Sequence, residues 1–258
     1  ELARGDLQAT ANYAETASRL APDAAETLTC LADVEAARGD VTAAERHYTA
    51  AALQASAPAP IWLALGRLQL AQGKLTPAAD ALQRAALANP DSDEILATLG
   101  DARLAAGDHG PAVQAYREAV RIAPRNAKHL LRLGRACRSQ GQLDQAIAHL
   151  MQGREAAPHN DELMREVGLV FEQRRQFDRA LELYQLAIKS APRVAANYTR
   201  AGVALKQLKD YTGSLSALER AVALDPKNLE AAKQLAAVTA MSIMHSDTPR
   251  LAGAAAGK

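Results

Sequence analysis

The densest chemistry in this sequence is a run of cations at helical spacing. Lys128, Arg132, Arg135 and Arg138 recur at intervals of three and four residues, which places them on one face of one helix, and Arg165 follows. Like charges so placed cost only about 0.2–0.5 kcal/mol per pair. Guanidinium groups grip carboxylates in a two-pronged way, so the run predicts a site for an acidic or C-terminal peptide. The competing expectation is a self-neutralising ladder in which Asp101 pairs with Arg135 and Glu162 with Lys128.

No other set of residues has the spacing of a reaction centre. His47, His109, His129, His149, His159 and His245 are scattered, and no two have ligand spacing on one helix face. His245 beside Asp247 reads as an isolated polar pair. The sequence contains no cysteine–histidine cluster, no phosphate-cradling glycine loop and no nucleophile elbow. Neither enzymatic activity nor a metal or cofactor is expected. Cys30 and Cys137 read as free thiols in core or half-buried positions, and they favour a reducing compartment such as the cytoplasm.

Composition narrows the partners. The 258 residues carry a net charge of +1, which gives no overall drive toward nucleic acid. At 3% aromatic residues there is little to stack on RNA bases. No run is long enough to insert into a membrane. The charge is uneven: residues 1–126 hold 11 basic and 16 acidic residues, whereas 127–258 hold 19 and 13. Sixty alanines, with arginine supplying 22 of the 30 cations, suggest a bacterial genome of high GC content.

The elements that position these residues repeat every 34 positions. Gly66, Gly100, Gly134, Gly168 and Gly202 hold one register. Ala44, Ala78, Ala112, Ala146 and Ala180 hold a second, and Pro22, Pro90, Pro124, Pro158, Pro192 and Pro226 a third. Such a period signals a solenoid, whose units bury their apolar faces only by stacking. Within residues 161–194, Met164, Val167, Gly168 and Phe171 form one helical stripe. A polar break at Arg174–Gln176 follows, where four other copies place Gly39, Gly73, Gly107 and Gly141. A second stripe runs from Phe177 through Ala180, Tyr184 and Ala187 until Pro192 ends it. Each repeat is thus a helical hairpin.

These hairpins resemble tetratricopeptide repeats. The family pattern matches Trp62–Leu65–Gly66–Ala78–Leu82–Ala85–Pro90 and Met164–Val167–Gly168–Phe171–Ala180–Tyr184–Ala187–Pro192. Six copies are expected, at 25–58, 59–92, 93–126, 127–160, 161–194 and 195–228. Residues 1–24 would be the second helix of a truncated repeat, so the sequence reads as a piece of a longer protein. Residues 229–245 would form a capping helix, and 246–258 a disordered tail. Departures from the family pattern are mild: Ala32 replaces a glycine, and leucine often replaces an aromatic.

The resemblance implies an all-α, right-handed superhelical solenoid. Its concave groove would be lined by the second, fifth, ninth and twelfth positions of each first helix. Those positions, with the arginines beside them, nominate Leu63, Arg67, Leu70, Asp101, Leu104, Lys128, Leu131, Arg132, Arg135, Arg138, Arg165 and Leu169. Their signs alternate between repeats, with leucines among them. The carboxylate clamp of chaperone adaptors is only half present: Lys128 and Arg132 match it, whereas Leu63, Arg67 and Thr98 do not. The asparagine ladder of the sugar-transferase type is absent from Cys30, Ala64, Thr98, Arg132, Glu166 and Arg200. The expected function is a scaffold that holds a partner peptide or helix in the groove, with leucines as anchors and arginines setting register. The alternatives are a regulatory or targeting arm of a larger enzyme, or self-association through the exposed half-repeat.

Overall fold

In a computed structural model, backbone is described for residues 2–255 and side chains for 8–244. The His245–Asp247 pair therefore lies outside the described side chains. The described residues form helices joined by short turns, with no strand. Their packing divides the chain into two compact units, residues 1–124 and 125–258.

The first unit holds α1 (Leu2–Leu20), α2 (Ala25–Arg38), α3 (Val41–Gln54), α4 (Ala59–Ala71), α5 (Leu75–Ala88), α6 (Asp93–Ala105) and α7 (His109–Ile122). The second holds α8 (Ala127–Ser139), α9 (Leu143–Ala156), α10 (Asp161–Gln173), α11 (Phe177–Ser190), α12 (Ala195–Gln207), α13 (Tyr211–Leu224) and α14 (Leu229–Ala255). Within each unit consecutive helices pack on one another, most extensively inside each hairpin. Each unit is thus a short stack of helical hairpins.

Local chemistry sets where the helices begin. Ser92 Oγ accepts from Ile95 N–H at 3.3 Å, Asn160 Oδ1 from Leu163 N–H at 3.1 Å and Asn228 Oδ1 from Ala231 N–H at 3.0 Å. Each bond satisfies a donor that has no partner inside the helix. The turn between paired helices needs one residue in the left-handed region, and Gly39 takes it at φ 86°. At the equivalent position the fifth and sixth repeats place Arg175 (φ 59°) and Lys209 (φ 65°), so the turn persists without glycine.

The hairpins close on the small residues expected at their crossings. A Cβ added to Gly66 would lie 2.5 Å from Leu82 Cγ, and one added to Gly100 would lie 2.5 Å from Tyr116 Cε1. In the second unit the same contact joins Gly202 to Leu218 at 2.6 Å. Ala44, Ala78, Ala112, Ala146 and Ala180 are all fully buried. The first unit's core gathers Tyr48, Trp62, Leu65, Leu82, Ile95 and Leu99; in the second, Tyr184 packs with Ala180, Ala201 and Ala204. The helix expected over 229–245 extends to Ala255, into the stretch expected to be disordered.

Candidate interaction surface

In the second unit the first helices of successive hairpins, α8, α10 and α12, stand side by side, with α14 next to α12. Polar contacts stitch them together. Arg135 on α8 donates from Nη2 to Glu162 Oε1 at 2.6 Å and from Nε to Glu166 Oε1 at 2.8 Å, both on α10. Arg138 Nη2 lies 3.3 Å from Glu166 Oε2. Arg165 donates to Asn197 Oδ1 on α12 at 2.7 Å and to Asp161 Oδ2 at 3.1 Å. Asn197, fully buried, donates in turn to Asp161 and to the carbonyl of Ala187. Lys206 on α12 reaches Gln234 on α14 at 2.5 Å.

The basic cluster is therefore not an empty anion site: Arg135, Arg138 and Arg165 already hold carboxylates. Glu162 pairs with Arg135 rather than with Lys128, which is exposed. The reason is register. The ninth position of one first helix stands level with the second and sixth of the next, so an arginine there meets acidic residues at both. Burial opposes the charge on Arg135, but the Glu166 and Glu162 carboxylates outweigh it and hold the guanidinium pKa above its usual range. Glu166 itself is only 5% exposed. Leu131, nominated as a groove anchor, is also buried, at 7% exposure, and belongs to the packing of the unit. Arg132 and Leu169 are half-buried.

The first unit repeats the register in simpler form. Arg67 on α4 reaches Glu94 on α6 at 2.5 Å, ninth position to second as in Arg135–Glu162, but with both partners about half exposed. Leu63, Leu70 and Leu104 are half-buried beside them. The acidic side of the alternation has a cause that the sequence pattern did not disclose. Tyr48 Oη donates to Asp33 Oδ1 at 2.5 Å, and Tyr116 Oη to Asp101 Oδ1 at 2.8 Å. In the second unit Tyr184 Oη donates to Glu172 Oε2 at 2.8 Å. These tyrosines occur in every second repeat, at the position that Leu82, Leu150 and Leu218 fill in the others. Each ring packs at the crossing with its first helix, Tyr116 against Gly100 and Tyr184 against Gly168, and carries its hydroxyl through to the acidic residue. The tyrosine–leucine alternation was visible in the sequence; the partner carboxylates, 12 or 15 residues earlier, needed the folded hairpin.

Among the described residues no group of three histidine, cysteine, aspartate or glutamate side chains is arranged to hold a metal. No helix among them is long and apolar enough to cross a membrane. Cys30 is half-buried and Cys137 buried, and neither is in a disulfide.

A tetratricopeptide repeat family model matches residues 63–127 and 166–229, half of the chain, and a second such model matches 103–167. The chain belongs to the tetratricopeptide repeat family. No curated protein matches it. Among solved structures, the C-terminal part of a TPR repeat-containing protein from Cytophaga hutchinsonii aligns with a TM-score of 0.72 at 15% identity, over 90% of this chain and 95% of that one. MamA from Desulfovibrio magneticus RS-1, residues 41 to the end, aligns at 0.60 and 19% identity, over 66% and 97%. YrrB, described as a TPR protein with an unusual peptide-binding site, aligns at 0.57 and 18% identity, over 72% and 96%. At these identities the likeness shows the fold. Family membership makes the chain a protein-interaction scaffold, of a kind typically without enzymatic activity.

Proposed function

We propose that the first-helix face of each unit is the surface that holds a segment of a partner protein. The observation that carries this reading is the set of half-buried leucines Leu63, Leu70 and Leu104 among charges fixed in place by Arg67–Glu94 and by the tyrosine-held Asp33 and Asp101. Apolar anchors inside an oriented polar frame suit an extended or helical peptide, since the leucines supply affinity and the fixed charges set its register.

The second unit supports a partner segment with acidic residues. α8 carries Lys128, Arg132, Arg135 and Arg138 and no acidic residue, while α10 returns two carboxylates, Glu162 and Glu166, to that cluster. A partner carboxylate meets the positive surplus at Lys128 and at the exposed flank of Arg135, with Leu169 on the neighbouring helix. A peptide-binding site on YrrB, a protein of like fold, is consistent with peptide recognition here.

The test is selection of displayed random peptides on the intact protein, followed by binding to two variants. Leu70→Asp with Leu104→Asp weakens the selected peptides by roughly tenfold or more, the equivalent of about 1.4 kcal/mol. Lys128→Glu weakens the acidic peptides and spares the others. Undiminished binding to the double variant, with helicity intact by circular dichroism, overturns the assignment.

A further inference from the structure

The second helices of the second unit carry a groove of their own. It lies between α9 and α11 with α10 as its floor, encloses about 240 Å³, and is lined by Ile147, Met151, Val167, Phe171 and Leu183. Val167 and Leu183 are buried, whereas Ile147, Met151 and Phe171 remain partly open to solvent. Arg154 stands on the α9 rim, and Arg179 on the α11 rim, 5.7 Å above the Phe171 ring. Glu182 shares the α11 rim.

The repeat architecture provides an internal control. Met151 and Phe171 occupy the positions of Gln83 and Arg103 two repeats earlier. In the first unit Arg103 and Gln83 are hydrogen-bonded to each other on the wall of the matching groove between α5 and α7, which gives that groove of about 290 Å³ a polar lining. The second unit replaces that pair with two large apolar side chains, one of them a methionine that adapts readily to another surface. A small concave apolar surface with a few polar groups at its edge has the form of a pocket for a single apolar side chain. The rim also selects the occupant. Neither Arg154 nor Arg179 pairs with a carboxylate among the described residues, and they outnumber Glu182.

We propose that the groove between α9 and α11 is a second docking site. It takes an apolar anchor side chain, flanked by carboxylates, from an amphipathic segment of a partner protein. The anchor is leucine- or methionine-like, packs on Phe171 and Met151, and leaves the flanking acids beside Arg154 and Arg179. The walls of the site are second helices, and none of its lining residues is among the first-helix positions proposed above, so one chain can engage two segments at once.

The probe is a short labelled helical peptide with a central leucine–methionine pair flanked by aspartates, and its control has lysines in place of the aspartates. Fluorescence anisotropy with the intact chain is expected to show saturable binding of the acidic peptide and at least tenfold weaker binding of the lysine form. Amide shift changes in nuclear magnetic resonance spectra are expected to concentrate in α9–α11. Met151→Gln with Phe171→Arg installs the polar pair already accommodated at this position in the first unit and is expected to abolish binding. Arg154→Glu with Arg179→Glu alters only the rim and is expected to reverse the preference toward the lysine peptide, which keeps the test valid if the first variant folds poorly. No binding by the parent, an unchanged preference in the rim variant, or shift changes confined to α8, α10 and α12 overturns the proposal. Loss of the leucine-face binding proposed above leaves all of these readouts unaffected.

Discussion

Replacing Arg135 by methionine tests whether the basic cluster holds the second unit together. Two charge-assisted hydrogen bonds disappear, at 2.8 Å to Glu166 and 2.6 Å to Glu162. The Glu162 contact joins side chains 36% and 42% exposed, so it contributes about 0–1 kcal/mol. The Glu166 contact is different, because that carboxylate is 6% exposed and its loss strips a buried charge of its best donor; a bond of this type contributes about 1.5–3 kcal/mol. Arg138 does not replace it. Its guanidinium lies at ion-pairing distance, but Glu166 Oε2 accepts no hydrogen bond among the described residues. Methionine keeps much of the packing of the arginine stem, so the expected loss is about 1.5–4 kcal/mol in total.

The reverse deletion separates the causes. Glu166→Met removes the buried charge itself, leaves Arg135 with Glu162, and is expected to change stability by less than about 1 kcal/mol. The double variant should resemble Glu166→Met, giving a large coupling energy between the two sites. Urea titration followed by circular dichroism reads all three, with the denaturant slope compared among variants because hairpin stacks can unfold in parts. The reasoning is refuted if Arg135→Met lies within about 0.5 kcal/mol of the parent, or if Glu166→Met is the more damaging change.

Two further outcomes are expected. The phenols of Tyr48 and Tyr184 are pushed above the ordinary value of about 10, first by burial and then by Asp33 and Glu172 respectively. Unfolded tyrosine ionises near that value, so their stabilisation is intact below about pH 10 and declines as pH rises above it. Phenolate absorbance assigned by difference against Tyr48→Phe and Tyr184→Phe should therefore appear only as helical signal is lost; its appearance with helices intact would contradict the burial. Arg175 holds a left-handed conformation that costs an L-residue about 1–2 kcal/mol. Arg175→Gly should raise the urea midpoint by an amount worth about 1 kcal/mol once the extra chain entropy of glycine is counted, and an unchanged midpoint would show that the turn stores no strain.

The fold was legible because repetition multiplies weak signals. One amphipathic stripe is ambiguous, but Gly66, Gly100, Gly134 and their counterparts keep phase with the buried alanines through successive copies. Small residues at both crossings specify close helix pairs wherever the chain repeats them. The surface was less legible. Position along a helix announces that Arg135 and Glu162 face outward, but not whether each meets solvent, a ligand or the other. The interval of 27 residues that joins Arg67 to Glu94 and Arg135 to Glu162 was present in the sequence. It acquires meaning only when the stagger between adjacent first helices is known.

The sequence by itself determined that this is a tetratricopeptide stack of helical hairpins, because helix periodicity and small-residue contacts are local and recur with the period. Only the tertiary structure decided what the charged residues do. It gave Arg135, Arg138 and Arg165 partners on neighbouring helices, drew Leu131 into the packing, and used tyrosines from the second helices to orient Asp33, Asp101 and Glu172. The physical reason is that burial follows from apolar pattern within one element, whereas the pairing of two charges depends on the offset between elements that touch only after folding.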